Sequence, residues 1–195
     1  MMECAYDNLK TIFKLANRDL INLDKDLFET NVSERTLCGA LMLRLHERLK
    51  QTIYSSYYVD VEYNRNRGGK LKTLVKTVQR PKLDIIKINC DLIVHSRGKC
   101  VEQDNLIAIE MKKSNRSKSD KDKDRERLRC LTKDSFDDMW SFDGKSLPEH
   151  VCRYIIGVYY EINYTKRQIE IEYYYKGKLK STEIMKFELK NENKD

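Results

Sequence analysis

Three ionisable side chains stand where apolar strand patterns begin or end. Asp91 opens the run Leu92-Ile93-Val94, and Glu110 and Lys112 close the run Leu106-Ile107-Ala108-Ile109. Charged groups at such places are costly to desolvate, so each needs a partner or a task. Residues two apart on a strand share a face, which aims Glu110 and Lys112 at one site and Met111 at the other side of the sheet. With the two segments adjacent, Asp91 and Glu110 converge as oxygen ligands for a hard cation such as Mg²⁺, leaving positions for water and phosphate. Lys112 then lies within reach of an attacking water.

A fourth acid comes from a helix whose apolar positions, Leu37, Leu41, Leu45, Leu49 and Ile53, recur every fourth residue. At about 100° per residue, Glu34 falls near 60° when Leu37 is set to zero, inside the apolar stripe of about 0° to 160°. Glu47 falls near 280° on the same wheel and points to solvent. Glu34 is therefore the acid expected to face the sheet.

The elements that position these residues follow from periodicity. Residues 4 to 20 fit an amphipathic helix, and about Ser33 to Ile53 a second one, with Asn31 and Ser33 as cap candidates. The period then changes to two over Tyr57 to Arg65, and Gly68-Gly69 breaks that strand before an extended Lys70 to Gln79. Strands at Asn89 to His95 and Asn105 to Lys113 are expected to be neighbours in one sheet. A helix over Ser119 to Lys133 follows, then a loop holding the single Trp140, then a meander over Arg153 to Asn163, Gln168 to Tyr175 and Ser181 to Leu189. The fold class read from this order is α/β or α+β, with a central mixed β-sheet flanked by helices. One domain spans 1–195: an N-terminal helical segment at 1–30, a catalytic core at 33–134 and C-terminal strands at 150–190. At 195 residues, 40% of them hydrophobic, the chain has material for one sizeable core.

Charge is uneven. Tyr63 to Lys82 holds seven bases and no acid, and Lys112 to Lys133 holds ten bases and four acids, within a chain of net charge +7. That pattern implies a polyanionic partner, phosphate backbones first. Asp120, Asp122 and Asp124 mimic the start of a calcium-binding loop, but Arg125 stands where the turn needs Gly and Leu131 where a bidentate Glu is required. They read as the acidic start of a charged helix. The six cysteines have irregular spacing and no Cys-x-x-Cys, so reduced thiols are expected, without a zinc site. No basic leader opens the chain, and the longest apolar run is too short to cross a bilayer. A soluble, cytoplasmic protein without a membrane partner is expected. His95 reads as a satisfied structural residue.

Glu34, then Asp91 in CDLIVH, then Glu110-Met111-Lys112 in NLIAIEMKK resembles the PD-(D/E)XK phosphodiesterase superfamily, the restriction-endonuclease-like group. The resemblance covers most of the chain, VDVEYNR at 59–65 and the hydrophilic helix after E-x-K included. It implies a restriction-endonuclease-like core and a metal-dependent nuclease acting on phosphodiester bonds, expected in DNA. By position, Glu34, Asp91, Glu110 and Lys112 would be catalytic. Asp91, Glu110, the Met111 backbone carbonyl and Glu34 through a water would hold Mg²⁺, for which Mn²⁺ would substitute. Arg65, Arg67, Lys70, Lys113, Arg116 and Lys118 would bind nucleic acid, with a homodimer or larger complex in keeping with the group. One departure is Cys90 where the family carries Pro before the aspartate. Asp84, near Pro81, is set aside because no uninterrupted apolar strand follows it, and Asp60 and Glu62 are weaker, supporting or structural candidates. The competing expectation is a non-catalytic nucleic-acid-binding module of the same fold within a larger complex. The plainest reading makes the charges a structural ion-pair cluster.

If the first basic segment neutralises phosphates, replacing Arg65 and Arg67 by Ala flattens the slope of log affinity against log salt by roughly one to two units. Titrations of duplex DNA binding at several salt concentrations measure this, and an unchanged slope leaves the segment as a solvated surface.

Overall fold

A computed structural model describes residues 2–62, 73–77, 83–87, 90–100, 102–134, 139–141 and 152–189. Its elements run α1 (Met2–Leu23), α2 (Lys25–Glu29), α3 (Glu34–Leu49), β1 (Tyr58–Val61), β2 (Thr73–Thr77), β3 (Leu83–Lys87), β4 (Leu92–His95), β5 (Asn105–Lys113), α4 (Lys118–Leu131), β6 (Met139–Ser141), β7 (Ile156–Asn163), β8 (Gln168–Tyr175) and β9 (Lys178–Lys186). The architecture is mixed α+β. A six-stranded sheet has the order β1-β4-β5-β7-β8-β9, and β2, β3 and β6 form a separate three-stranded sheet. In the larger sheet only β5 and β7 pair in parallel, with α4 in the connection between them. The other four pairs are antiparallel, including the β7-β8-β9 meander that the turn signals predicted.

The period-two pattern of β5 sorts its residues onto two faces. Ile107, Ile109 and Met111 pack with Leu37, Cys38, Leu41 and Leu45 of α3 and with Leu9, Phe13 and Leu20 of α1 in the main core. Ala108 points the other way, into a smaller cluster with Ile93, Leu128, Leu131, Tyr159 and Tyr174. Burying each large apolar side chain contributes about 1.5–3 kcal/mol, so the larger α1/α3 layer anchors the sheet and α4 covers its second face. Ser33 caps α3 by accepting from the Thr36 N–H at 3.1 Å, and Ser117 caps α4 through the Asp120 N–H at 3.1 Å.

Several expected boundaries move. The second helix ends at Leu49, and Ile53 lies beyond it at 82% exposure, because the four-residue spacing continued through a turn that is not helical. Asp91 precedes β4, which starts at Leu92, so the strand is shorter than Asn89 to His95. Asp84, set aside for want of an uninterrupted apolar strand after it, lies within the short β3, where only Ile85 and Ile86 follow before Lys87, and Trp140 is in β6, not a loop. The described part of the first expected strand is β1; residues 63–72, with Arg65, Arg67 and Lys70, lie outside the described residues. All six cysteines are free thiols, as their spacing predicted. No helix among the described residues is long and apolar enough to cross a membrane.

The approach of α4 to the sheet depends on Gly157 of β7, which pairs with Ala108. A Cβ there would meet Thr132 Cγ2 at 3.0 Å, Tyr174 Cβ at 3.2 Å and Leu128 Cβ at 3.4 Å. Gly157→Ala is therefore expected to lift the C-terminal end of α4 and lower stability by about 1–3 kcal/mol, the usual cost of overpacking. Urea denaturation of the variant measures the loss, and a variant as stable as the parent shows that α4 has slack against the sheet.

Candidate active site

The three strand-end residues come together on the sheet face covered by α4. Leu92 of β4 pairs with Ile109 of β5 in antiparallel register, and continuing that register by one sets Asp91 opposite Glu110. Asp91 Oδ2 accepts from the Met111 N–H at 2.8 Å, which fixes the carboxylate at the strand end. Lys112 Nζ lies 3.8 Å from the same oxygen. The described contact of the Met111 backbone with the site is thus its N–H, whereas the family resemblance implies a role for its carbonyl.

Two residues of α4 complete the cluster, and neither was singled out as a site residue from sequence. Asp124 Oδ2 is 3.0 Å from Lys112 Nζ, and Arg127 Nη1 bridges Asp124 Oδ1 at 3.0 Å and Glu110 Oε1 at 2.5 Å. Asp124 is thereby a buried node and not simply part of an acidic helix start; it is Asp120 that occupies the first turn. The signal was present in the helical period, since Asp124 shares its stripe with Leu128 and Leu131, four and seven residues on.

Glu34 does reach the sheet side of α3, at the end of β5, but binds different partners. Its Oε1 accepts from the Lys113 N–H and Arg116 Nε, both at 2.9 Å. Lys113 extends to Asn31 Oδ1 at 2.8 Å and Arg116 is committed to Glu34, so these two bases gather around Glu34 while Lys118 lies exposed on the first turn of α4. His95 is at the far end of β4 from Asp91, buried, with Nε2 2.8 Å from Asp60 Oδ2; Arg97 Nε donates to the same oxygen at 2.8 Å. Asp60 is thus paired with His95 and Arg97, whose hydrogen bonds and charge hold its carboxyl well below its usual range despite burial.

The electrostatics of the cluster are dominated by desolvation. Glu110 is 1% exposed. Burial pushes its carboxyl up to about 8, Asp91 and Asp124 add repulsion, and Arg127 opposes both. Burial likewise raises Asp91 against the pull of Lys112. Burial alone would lower the Lys112 ammonium, but Asp91 and Asp124 outweigh it and keep the charged form favoured. Glu34 lies below its usual value because Arg116 and the Lys113 N–H outweigh its desolvation.

Among the described residues, no three His, Cys, Asp or Glu side chains are grouped closely enough to hold a metal ion. Asp91 and Glu110, set side by side by the strand register and each raised by burial despite its cationic neighbour, nevertheless suit a hard divalent cation in donor chemistry. Compared with known proteins, the chain matches no family model, no curated protein and no solved structure. The functional argument therefore rests on the site itself.

A carboxyl held up to about 8 in the folded state but near 4.3 when unfolded binds more protons folded than unfolded. Its contribution to stability is full below about pH 4.3 and is lost as pH rises through about 8. The metal-free protein should accordingly lose more stability between pH 5 and pH 8 than its Glu110→Gln variant. Melting temperatures of both across that range measure the difference, and parallel curves show that Glu110 is ionised throughout.

Proposed function

We propose that the protein is a metal-dependent nuclease with a restriction-endonuclease-like core, hydrolysing phosphodiester bonds in DNA. The observation that carries this reading is the placement of Asp91, Glu110 and Lys112 on one sheet face at adjoining strand ends, the arrangement E-x-K chemistry requires. Support also comes from the order of elements: a helix bearing Glu34 precedes the sheet, and an antiparallel β4-β5 pair leads into α4 and a parallel β7.

In this reading Asp91 and Glu110 hold Mg²⁺ or Mn²⁺, which when bound supplies Lewis acidity toward a phosphoryl oxygen and acidifies a water. Lys112 orients the nucleophilic water and stabilises negative charge on the attacked phosphate. Arg127 keeps the Glu110 carboxylate in place, and Glu34, with Arg116 and Lys113 beside it, faces the incoming backbone. Lys118 adds positive charge at the start of α4.

A second reading, a structural ion-pair cluster, is favoured by the fact that Glu110 and Asp124 already have cationic partners within 3.0 Å. One variant separates the two. As the catalytic lysine, Lys112→Ala costs at least ~10²-fold in plasmid cleavage with a stability change of about 1 kcal/mol or less. As half of a structural pair it costs roughly 3 kcal/mol or more in stability. Turnover with Mg²⁺ against EDTA, and melting temperature, are measured on the same preparation. A folded variant that binds DNA but does not cut supports the nuclease, and one that melts early yet cuts normally in the cold rejects it.

A further inference from the structure

We propose, building on the metal-dependent reading above, that Asp124 is a positioning residue that holds Lys112 off the metal-binding carboxylate of Asp91. Asp124 is 5% exposed and sits on α4, the only element besides the strands to enter the cluster among the described residues. Its two oxygens face two different cations, Oδ2 toward Lys112 Nζ at 3.0 Å and Oδ1 toward Arg127 Nη1 at 3.0 Å. Each cation has a second acid within reach. For Lys112 it is Asp91 Oδ2 at 3.8 Å; Arg127 already contacts its second acid, Glu110 Oε1, at 2.5 Å, nearer than Asp124.

The consequence follows from charge and reach. A lysine ammonium on a four-carbon stem moves to its nearest available carboxylate once the nearer one loses its charge. Without Asp124, Lys112 closes the gap to Asp91, and Arg127 is left with Glu110 as its sole acid in the cluster. Asp91 would then be occupied by an internal cation, as Glu110 already is by Arg127, in competition with a divalent ion. Asp124 thus holds the Lys112 charge so that Asp91 stays available while Lys112 remains beside it. The backbone at Asp124 is fixed by neighbours that do not involve its side chain. Leu128 and Leu131 are buried against the sheet, Lys121 Nζ reaches Glu161 Oε1 at 2.8 Å, and Arg125 Nε reaches Glu172 Oε1 at 2.9 Å. Removing the carboxylate charge therefore leaves α4 docked.

The test is Mn²⁺ affinity by calorimetry on the full chain, with Asp91→Ala as the control that abolishes binding. Asp124→Asn is expected to weaken Mn²⁺ binding by roughly 10- to 100-fold, the range for residues that orient metal ligands. Lys112→Ala should bind Mn²⁺ at least as tightly as the parent, and Asp124→Asn combined with Lys112→Ala should recover most of the lost affinity. Recovery is the signature of an effect transmitted through Lys112. A double variant that stays as weak as Asp124→Asn overturns the proposal, as does an Asp124→Asn variant within twofold of the parent. If Asp124→Asn does not fold, Asp124→Glu, which keeps the charge one methylene further out, should lose between twofold and tenfold, restored by Lys112→Ala; an unrestored loss or no loss overturns it. Plasmid cleavage is followed in parallel. A parent that binds Mn²⁺ without cutting removes the nuclease reading alone, and the affinity pattern still decides the role of Asp124. A parent that binds no Mn²⁺ overturns both.

Discussion

The buried carboxylate of Glu110 sets the terms for everything around it. An ionised carboxylate in a site closed to water is destabilised by several kcal/mol unless a cation and further hydrogen bonds compensate. Arg127 is the cation that contacts it, and it comes from a separate element because the one base beside Glu110 on that face of β5, Lys112, is paired with Asp124 and Asp91. The position of α4 follows from that need. Its apolar anchors, Leu128, Cys130 and Leu131, all lie in its C-terminal part, while the N-terminal part is held by Lys121 to Glu161 and Arg125 to Glu172. Gly157 lets the apolar end come close, and the ionic end lies over the charged half of the sheet.

This division explains a helix that hydropathy alone would place in solvent. The partners on the strands are distributed with the same alternation that sorts the core. Glu110, Lys112, Glu161 and Glu172 all point toward α4, whereas Met111, Tyr160, Ile162 and Ile171 point toward α1 and α3. One sheet therefore has an apolar face that supplies most of the burial and a second face whose outer half is ionic. Isolated exposed ion pairs stabilise little. Those under α4 are shielded and linked in a network, so removing one partner leaves another charge buried.

How much of this was legible in the sequence depended on the range of the signal. Nine residues of uninterrupted pattern fixed β5 to the residue, and the clear turn at Lys176-Gly177 located the β8–β9 hairpin. Leucine spacing located α3 but overran its end, because Ile53 matches the four-residue spacing without lying in the helix. β3 and β6 were missed because short strands in a small sheet lack a sustained period. For the site, Asp91, Glu110 and Lys112 were readable because each breaks an apolar strand run. Asp124 and Arg127 lie in a stretch where nearly every residue is charged, so polarity carried no contrast. Only angular position distinguishes Asp124 from Asp120 and Asp122. The partner of Glu34 was unreadable for a different reason: Arg116 is 82 residues away, and no local pattern encodes that pairing.

The balance of charge in the cluster bears on whether it is built for stability or for chemistry. Asp91, Glu110 and Asp124 face two cations, Lys112 and Arg127. A purely structural cluster is best served by equal numbers or by apolar replacements, since buried pairs often stabilise no more than well-packed hydrophobic residues of the same volume. Three acids against two bases leave one negative charge, and the folded chain can cancel it in two ways. A proton can sit on Glu110, in keeping with the upward displacement of its carboxyl, or a cation from solution can take its place. Proton and cation then compete for the same excess charge, so binding a divalent ion near neutral pH would release a proton. That coupling ties the burial of Glu110, which the sheet imposes, to the metal chemistry proposed for the site, through charge balance alone.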